Sequence, residues 1–394
     1  MKKRLVFICW LSIAMVQAMA QTTKPAVLVV GNGNAAASAA IQAAVSGVKT
    51  TILLQAGGFD ISPIAGDLTT GIQADFLKRI YAAKGLKDSS LTIPFDKQTA
   101  NDVLVKWTDT LKNLTVIKNV MWTKADRSGS SWTFRLNDGQ TIKPRVLIHA
   151  GDAKLQAALA IKTLPGNYEV PLDYEKTLYR TSLAANNATV VPMYNFFILD
   201  QENLLWLKSD DNMLIGQAAG AIAAYAGFFG TKTSVANLKV IQGELINYKL
   251  NLMPFSDIKQ TDANWKAIQF VGVTGVLKAV IQDKKAEFLP DKLVGAEEVK
   301  QPIKDFYYKA QIWFDDHKGE ALSMKALIDL VCYVGQKSPQ STPKEIEKKW
   351  KTAYKFNTDF DLNRLVNRRE FAVILQDYMP PFNVNVDKNG KVVR

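Results

Sequence analysis

The sequence predicts an α/β domain followed by an all-α domain, on three observations. A buried apolar run, a glycine turn and an alanine-rich helical run follow one another over residues 27–46. Strand-like segments alternate with short helical ones to about residue 232; beyond it, apolar residues recur at three- and four-residue spacing. The 394 residues suffice for two domains with a well-buried core, and 47% hydrophobic with 22% charged residues is a globular composition.

The first element is a leader. Lys2, Lys3 and Arg4 precede the apolar stretch Leu5 to Val16, and Ala18-Met19-Ala20 forms an A-x-A cleavage pattern before Gln21. Residues 1–20 therefore read as a secretory signal peptide, with a periplasmic or extracellular mature protein and no membrane span after cleavage. Cleavage removes Cys9 and leaves Cys332, which cannot form an internal disulfide and reads as a packed core residue in "LIDLVCYVG". Without Lys2, Lys3 and Arg4 the formal charge of +12 becomes +9. The lysines alternate with acids, as in "KEIEKKWK" at 344–351, so solvated helix faces are expected and nucleic-acid binding is not.

Next comes a βαβ unit. "AVLVV" (26–30) is a buried strand, "AAASAAIQAAVS" (35–46) a helix stopped by Gly47, and "TTILL" (50–54) a second strand. Connections this short imply parallel pairing with the helix packed on the sheet. Further strands are expected at "LTVI" (114–117), "SWTFRL" (131–136) and "RVLIHA" (145–150), with a hairpin turn at "NDG" (137–139).

The turn between first strand and helix has the chemistry of a Rossmann-type dinucleotide site. Backbone N–H groups at a helix N-terminus attract a pyrophosphate; one glycine permits the tight turn and a second lets phosphate reach the backbone. Gly31 and Gly33 fill those places, and Ala36 takes the third, where a small residue allows close helix packing. The second strand ends at Gln55, where an acid usually meets the ribose hydroxyls. A glutamine accepts through its carbonyl but loses the charge-assisted part of the bond, which weakens binding about tenfold.

Four ordered stretches over residues 26–232 carry a family resemblance: the βαβ unit, "GGFDISPIAGDLTTGIQADFLKRI" (57–80), "RVLIHAGDAKLQAAL" (145–159) and "NMLIGQAAGAIAAYAGFFG" (212–230). They resemble the FAD-dependent oxidoreductases of the two-dinucleotide-binding-domain type, and among these a secreted bacterial group described as xanthan-lyase-like. The resemblance implies FAD as cofactor. It implies a loop near the flavin carrying Gly66, Thr69 and Gly71, and adenine contact at the backbone of Val120. It also implies a turn at Gly151 and Asp152 near the ribityl chain or pyrophosphate, and a glycine-glutamine-alanine-alanine-glycine turn at Gly216, Gln217, Ala218, Ala219 and Gly220. Taken alone, "GQAAG" reads equally as a helix packed tightly on its neighbours. Two places depart from the pattern: Gln55 stands for the acid and Ala150 for a threonine. The segment from Asp152 to Asn212 is short for a substrate-binding insertion.

No catalytic acid–base pair stands out. His149 and His317 are the only histidines, so a multi-histidine metal site is excluded and no metal is expected. His149, at a strand end beside the expected flavin turn, is the one candidate proton donor, against the alternative of a satisfied buried histidine. Tyr179 and Arg180 could meet an anionic substrate, although no spacing selects them.

Residues 233–394 form the helical domain. "PFSDIKQTDANWKAIQFVGVTGVL" (254–277) and "FLPDKLVGAEEVKQPIKDFY" (288–307) resemble the two halves of a surface-layer-homology module, and "FDLNRLVNRREFAVILQDYM" (360–379) resembles the second half again. Glu297 and Glu370 then stand in matching places 73 residues apart, with Gly295 opposite Arg368. The resemblance implies binding of an envelope glycan through Arg368, beside the alternative of helical packing. The functional expectation is an exported FAD-dependent oxidoreductase acting on a small-molecule or glycan substrate; the alternative is a degenerate, flavin-free envelope binding or scaffold protein.

Overall fold

The computed structural model describes residues 21–64, 70–86, 94–161, 168–175, 177–198, 200–208, 212–317, 321–381, 385–387 and 392–393. A short strand β1 (Thr22–Thr23) precedes β2 (Val27–Val30), all four of whose residues are buried because the strand is covered on both faces. Helix α1 (Asn34–Val45) and β3 (Thr50–Leu54) complete the expected βαβ unit, and Gly47 leaves the helix at φ +89°. Helices α2 (Gly71–Ala83) and α3 (Lys97–Asp109) lead to β4 (Leu114–Lys118). Then follow β5 (Trp122–Ser128), β6 (Ser131–Leu136), β7 (Thr141–Ile142) and β8 (Val146–Ala150). The NDG turn forms as expected, with Leu136 N–H donating to the Gln140 carbonyl at 2.9 Å.

After α4 (Ala153–Ala158) the chain makes β9 (Val170–Pro171), β10 (Ser182–Asn186) and β11 (Thr189–Pro192), which form a small three-stranded sheet. It then returns through β12 (Phe197–Ile198) and β13 (Gln201–Leu207) to α5 (Met213–Phe229). The main sheet has the order β12-β13-β8-β2-β3-β4 and is parallel except at β12, with Val29 beside Ile52 on one side and Ile148 on the other. Alternate residues face opposite layers. Val27, Val29, Ile52 and Ile148 share a core with α1 and α5, whereas Leu28, Val30, Leu53 and Leu147 pack with Trp132, Phe134 and Ile142 from the sheet of β5, β6, β7 and β1. This is a Rossmann-type α/β domain.

Beyond α5 the chain is helical: α6 (Leu238–Asn247) and α7 (Trp265–Thr274) come first. The hairpin β14 (Val280–Gln282) and β15 (Lys285–Glu287) is a departure from the expected all-α pattern. There follow α8 (Ala296–Phe306), α9 (Ala310–Asp316), α10 (Met324–Val334), α11 (Thr342–Thr352) and α12 (Arg368–Tyr378). The expected solvated helix is α11, which buries only Thr342, Ile346 and Trp350. Cys332 is buried in α10.

Three of these helices start from one backbone ring. Val294 N–H donates to the Val366 carbonyl at 3.0 Å, Val366 to Leu322 at 2.9 Å, and Leu322 to Val294 at 3.1 Å. The next residue of each segment, Gly295, Ser323 or Asn367, caps α8, α10 or α12. The helical part is thus a threefold repeat, and its middle copy at 321–334 escaped the sequence reading because Leu322-Ser323-Met324 lacks the acidic signature of its partners. The ring also shifts the sequence register by one residue. Asn367 matches Gly295, so Glu370 matches Glu298 rather than Glu297, and Arg368 matches Ala296. Among the described residues no helix is long and apolar enough to cross a membrane.

Candidate dinucleotide site

The C-terminal ends of β2, β3 and β8 open onto a cleft of about 380 Å³. Gly31, Asn32, Gln55, Ala56, Met121 and Asp152 line it, with Ala150, Gly151, Ala153 and Lys154. Gly31 has φ +144°, and a Cβ there would stand 2.2 Å from the Ala150 carbonyl oxygen, so only glycine lets the turn pass so close to β8. Gly33 caps α1 without a side chain, and the first bond back into that turn is Ala37 N–H to the Gly33 carbonyl at 3.0 Å. Among the described residues the N–H groups of Asn34, Ala35 and Ala36 have no partner. They form a donor set of the kind a pyrophosphate requires. Ala36 itself is fully buried and serves packing.

The loop after β3 folds over this turn. Asp60 N–H donates to the Asn32 carbonyl at 2.8 Å, and the Asn34 side chain bonds the Ser62 backbone in both directions. Gly66 and Thr69 lie outside the described residues. Val120, half-buried just beyond β4, adjoins the cleft through Met121.

Asp152 is the best-connected side chain of the cleft. Its Oδ1 accepts from the N–H groups of Lys154 at 2.9 Å and Leu155 at 3.2 Å, capping α4. Its Oδ2 accepts from Gln55 Nε2 at 2.8 Å and Trp122 Nε1 at 2.7 Å. Four donors fill the four lone-pair sites of one carboxylate. Burial pushes its pKa up, but the bonds from Trp122, Gln55, Leu155 and Lys154 outweigh that and hold it below the ordinary value. Asp152 is therefore engaged with the protein and has no lone pair to offer a ribityl hydroxyl in this arrangement. Gln55 keeps its Oε1, which takes no bond from the described residues.

His149 is 1% exposed, and its ring stacks on Trp206 at 3.6 Å and 12°. Its Nε2 lies 2.5 Å from the Asp152 carbonyl oxygen, which can only accept, so Nε2 carries the proton. Nδ1 is buried without a partner among the described residues. Burial lowers its pKa and keeps the ring neutral. The residue props the Asp152 turn from the sheet face it shares with Trp206, and it is absent from the lining of the cleft at β2, β3 and β8.

The expected turn at Gly216 to Gly220 is instead the interior of α5, whose N-cap is Asn212. A Cβ at Gly216 would stand 2.1 Å from the Ala35 carbonyl oxygen, and one at Gly220 would stand 2.5 Å from that of Ala39. The two glycines therefore exist to let α5 and α1 touch backbone to backbone, and Ala218 and Ala219 are fully buried beside them. Gln217 crosslinks three elements: Oε1 accepts from Ile72 N–H at 2.9 Å, and Nε2 donates to Gln42 at 2.9 Å and the Tyr248 carbonyl at 3.4 Å. Gly71, at φ +57°, makes room for it, since a Cβ would meet Gln217 Oε1 at 2.1 Å. Tyr179 and Arg180 are buried, with Arg180 paired to Asp305 at 3.3 Å where the two halves meet.

Arg368 is likewise no surface group. It is fully buried, its guanidinium donates to Glu298 and the Lys278 carbonyl, and it lies 4.9 Å over the Phe288 ring. Burial leaves it nothing to present to a polymer, which corrects its expected glycan role. Among the described residues no cluster of His, Cys, Asp or Glu could hold a metal ion.

Of the residues singled out in the sequence, Gly31, Gln55, Gly151 and Asp152 line the cleft; Met121 and Lys154 line it too, and Trp122 bonds Asp152, without a signal in the sequence. Trp122 lies at a strand start 30 residues from Asp152, and no local signal joins the two. Neither a protein-family model nor a curated protein matches the chain. Solved structures match over part of it. The flavin-dependent monooxygenase PieE, solved with FAD and substrate, is 17% identical over 38% of this chain and 34% of its own, at TM-score 0.30. A flavoprotein/dehydrogenase of Cytophaga hutchinsonii is 18% identical over 37% and 44%, at TM-score 0.27. GidA of Aquifex aeolicus is 20% identical over 32% and 25%, at TM-score 0.23. The chain thus spans between 25% and 44% of the length of these three structures.

Proposed function

We propose that the protein is an exported FAD-binding oxidoreductase that holds the adenosine diphosphate end of its cofactor in the cleft at β2, β3 and β8. The observation that supports this reading is the unpartnered donor set at the start of α1, which follows directly on Gly31 and Asn32 of a cleft whose one lining cation is Lys154. The residues fit that end of the group. Asn34, Ala35 and Ala36 would donate to the pyrophosphate, Lys154 would balance its charge, Gln55 Oε1 would accept from a ribose hydroxyl, and Val120 would meet adenine through its backbone. When bound, FAD supplies transfer of a hydride or electron pair to an organic substrate, of which a carbohydrate is one class. Residues 1–20 support export.

A flavin-free envelope binding or scaffold protein is the second reading, favoured by the saturation of Asp152 and the absence of a flavin-side turn in α5. Titration of the protein from Gln21 onward with FAD and, separately, ADP distinguishes the two, read by melting temperature and visible absorbance. Both ligands should stabilise it, FAD should be retained with its spectrum, and Lys154→Glu should weaken both. No shift at saturating FAD rejects the cofactor. A shift with ADP alone reduces the site to a nucleotide cleft.

A further inference from the structure

The last turn of α5 carries two large apolar side chains out into solvent. Phe228 is 67% and Phe229 61% exposed, although the rest of the helix is almost wholly buried. Their rings meet at 4.9 Å, and Tyr225 adds a third ring 4.6 Å from Phe229. With Val240 of α6 they wall a shallow apolar groove. Isolated exposed apolar residues are ordinary, but a contiguous aromatic cluster at the end of a rigid helix marks a contact surface.

Its surroundings say what kind of surface. Phe228 also lines the adjoining cleft, whose charged residues are Lys24, Lys49, Lys143 and Arg145, without a carboxylate among them. Arg145 is tied to the Gly227 carbonyl at 2.6 Å. The other three are exposed and have no ion pair among the described residues. Glu244 is the one acid lining the apolar groove. Aromatic rings flanked by uncompensated lysines match an interface that is apolar inside and anionic at its rim.

We propose that this face seats on an anionic lipid bilayer, with Phe228 and Phe229 entering the boundary between headgroups and acyl chains and Lys24, Lys49 and Lys143 lying on lipid phosphates.

Co-sedimentation of the protein from Gln21 onward with phosphatidylglycerol or phosphatidylcholine vesicles tests the proposal. Binding to the anionic vesicles should exceed binding to the neutral ones by about tenfold or more and should weaken as salt rises. The double variant Phe228→Ser, Phe229→Ser and the double variant Lys24→Glu, Lys143→Glu should each lose most of that binding, about tenfold or more, with unchanged melting temperatures because all four side chains are exposed. Equal partition into both vesicles, or anionic binding that survives loss of both phenylalanines, overturns it. So does a soluble polyanion captured by a protein that ignores vesicles. A dimer in gel filtration that the phenylalanine variant dissolves, without vesicle binding, assigns the patch to a second copy and rejects the membrane.

Discussion

Gln55 and Asp152 are hydrogen-bonded to each other, Nε2 to Oδ2 at 2.8 Å, although the sequence placed them at opposite ends of a cofactor. On sequence alone, Gln55→Glu restores a ribose acid and tightens FAD binding. In the folded protein it sets two carboxylates at hydrogen-bond distance, which cannot both ionise without strong repulsion. We expect Gln55→Glu to cost about 1–3 kcal/mol at neutral pH and to leave FAD affinity no tighter. Adding Asp152→Asn should recover much of the stability, because the new amide donates to the new carboxylate. A thermal double-mutant cycle, with FAD titrations alongside, reads both outcomes.

Asp152 also carries a pH signature. Its folded pKa is depressed, so its contribution is fully present above the unfolded value and is lost as pH falls through the folded one. Stability should drop below about pH 4, the ordinary aspartate value, and Asp152→Asn should flatten that limb. Loss of the cap alone should cost about 0.5–2 kcal/mol, and Asp152→Ala more, since Trp122 and Gln55 are left without an acceptor. Urea midpoints across acid pH would show it.

His149 acts in a higher window. Burial lowers its pKa, so below about 6.5 the unfolded chain binds a proton that the buried ring refuses. Stability is full above that pH and falls as acidity grows, well before the Asp152 limb. His149→Phe keeps the stack on Trp206 and removes the titration. It should melt lower at neutral pH yet vary less between about pH 5 and 7; an unchanged slope would show that the histidine is not the titrating group.

A glycine in the seam between α1 and α5 and one outside it predict opposite signs for one substitution. Gly216→Ala drives a methyl into the Ala35 carbonyl and should cost about 1–3 kcal/mol or more. Gly243→Ala, in α6 with nothing within 4 Å of the added carbon, should stabilise by up to about 1 kcal/mol. Melting temperatures of the two variants should therefore move apart.

Arg368→Ala leaves Glu298 and the Lys278 carbonyl without their donor and should cost about 3–5 kcal/mol. A fall in envelope-glycan capture with an unchanged melting temperature would contradict the buried role.

Local features were legible and long-range ones were not. The β2–α1–β3 unit follows from an apolar run, a glycine turn and a helix stop, all within a few residues of one another. Gly31 and Gly33 were readable because tight turns leave a residue-type signature. Gly216 and Gly220 were visible as small residues, but small residues serve a phosphate turn and a helix seam equally, and only the packing partner decides. Asp152 is 97 residues from Gln55, so their bond has no sequence trace. The middle repeat was hidden because the ring that defines it uses backbone groups, which every residue supplies.

That ring also makes three distant segments depend on one another. Each of Val294, Leu322 and Val366 donates to one neighbour and accepts from the other, so any two leave a backbone donor and acceptor unfilled. Residues 294, 322 and 366 therefore close as one unit, and a change that displaces one of the three segments opens the starts of all three helices.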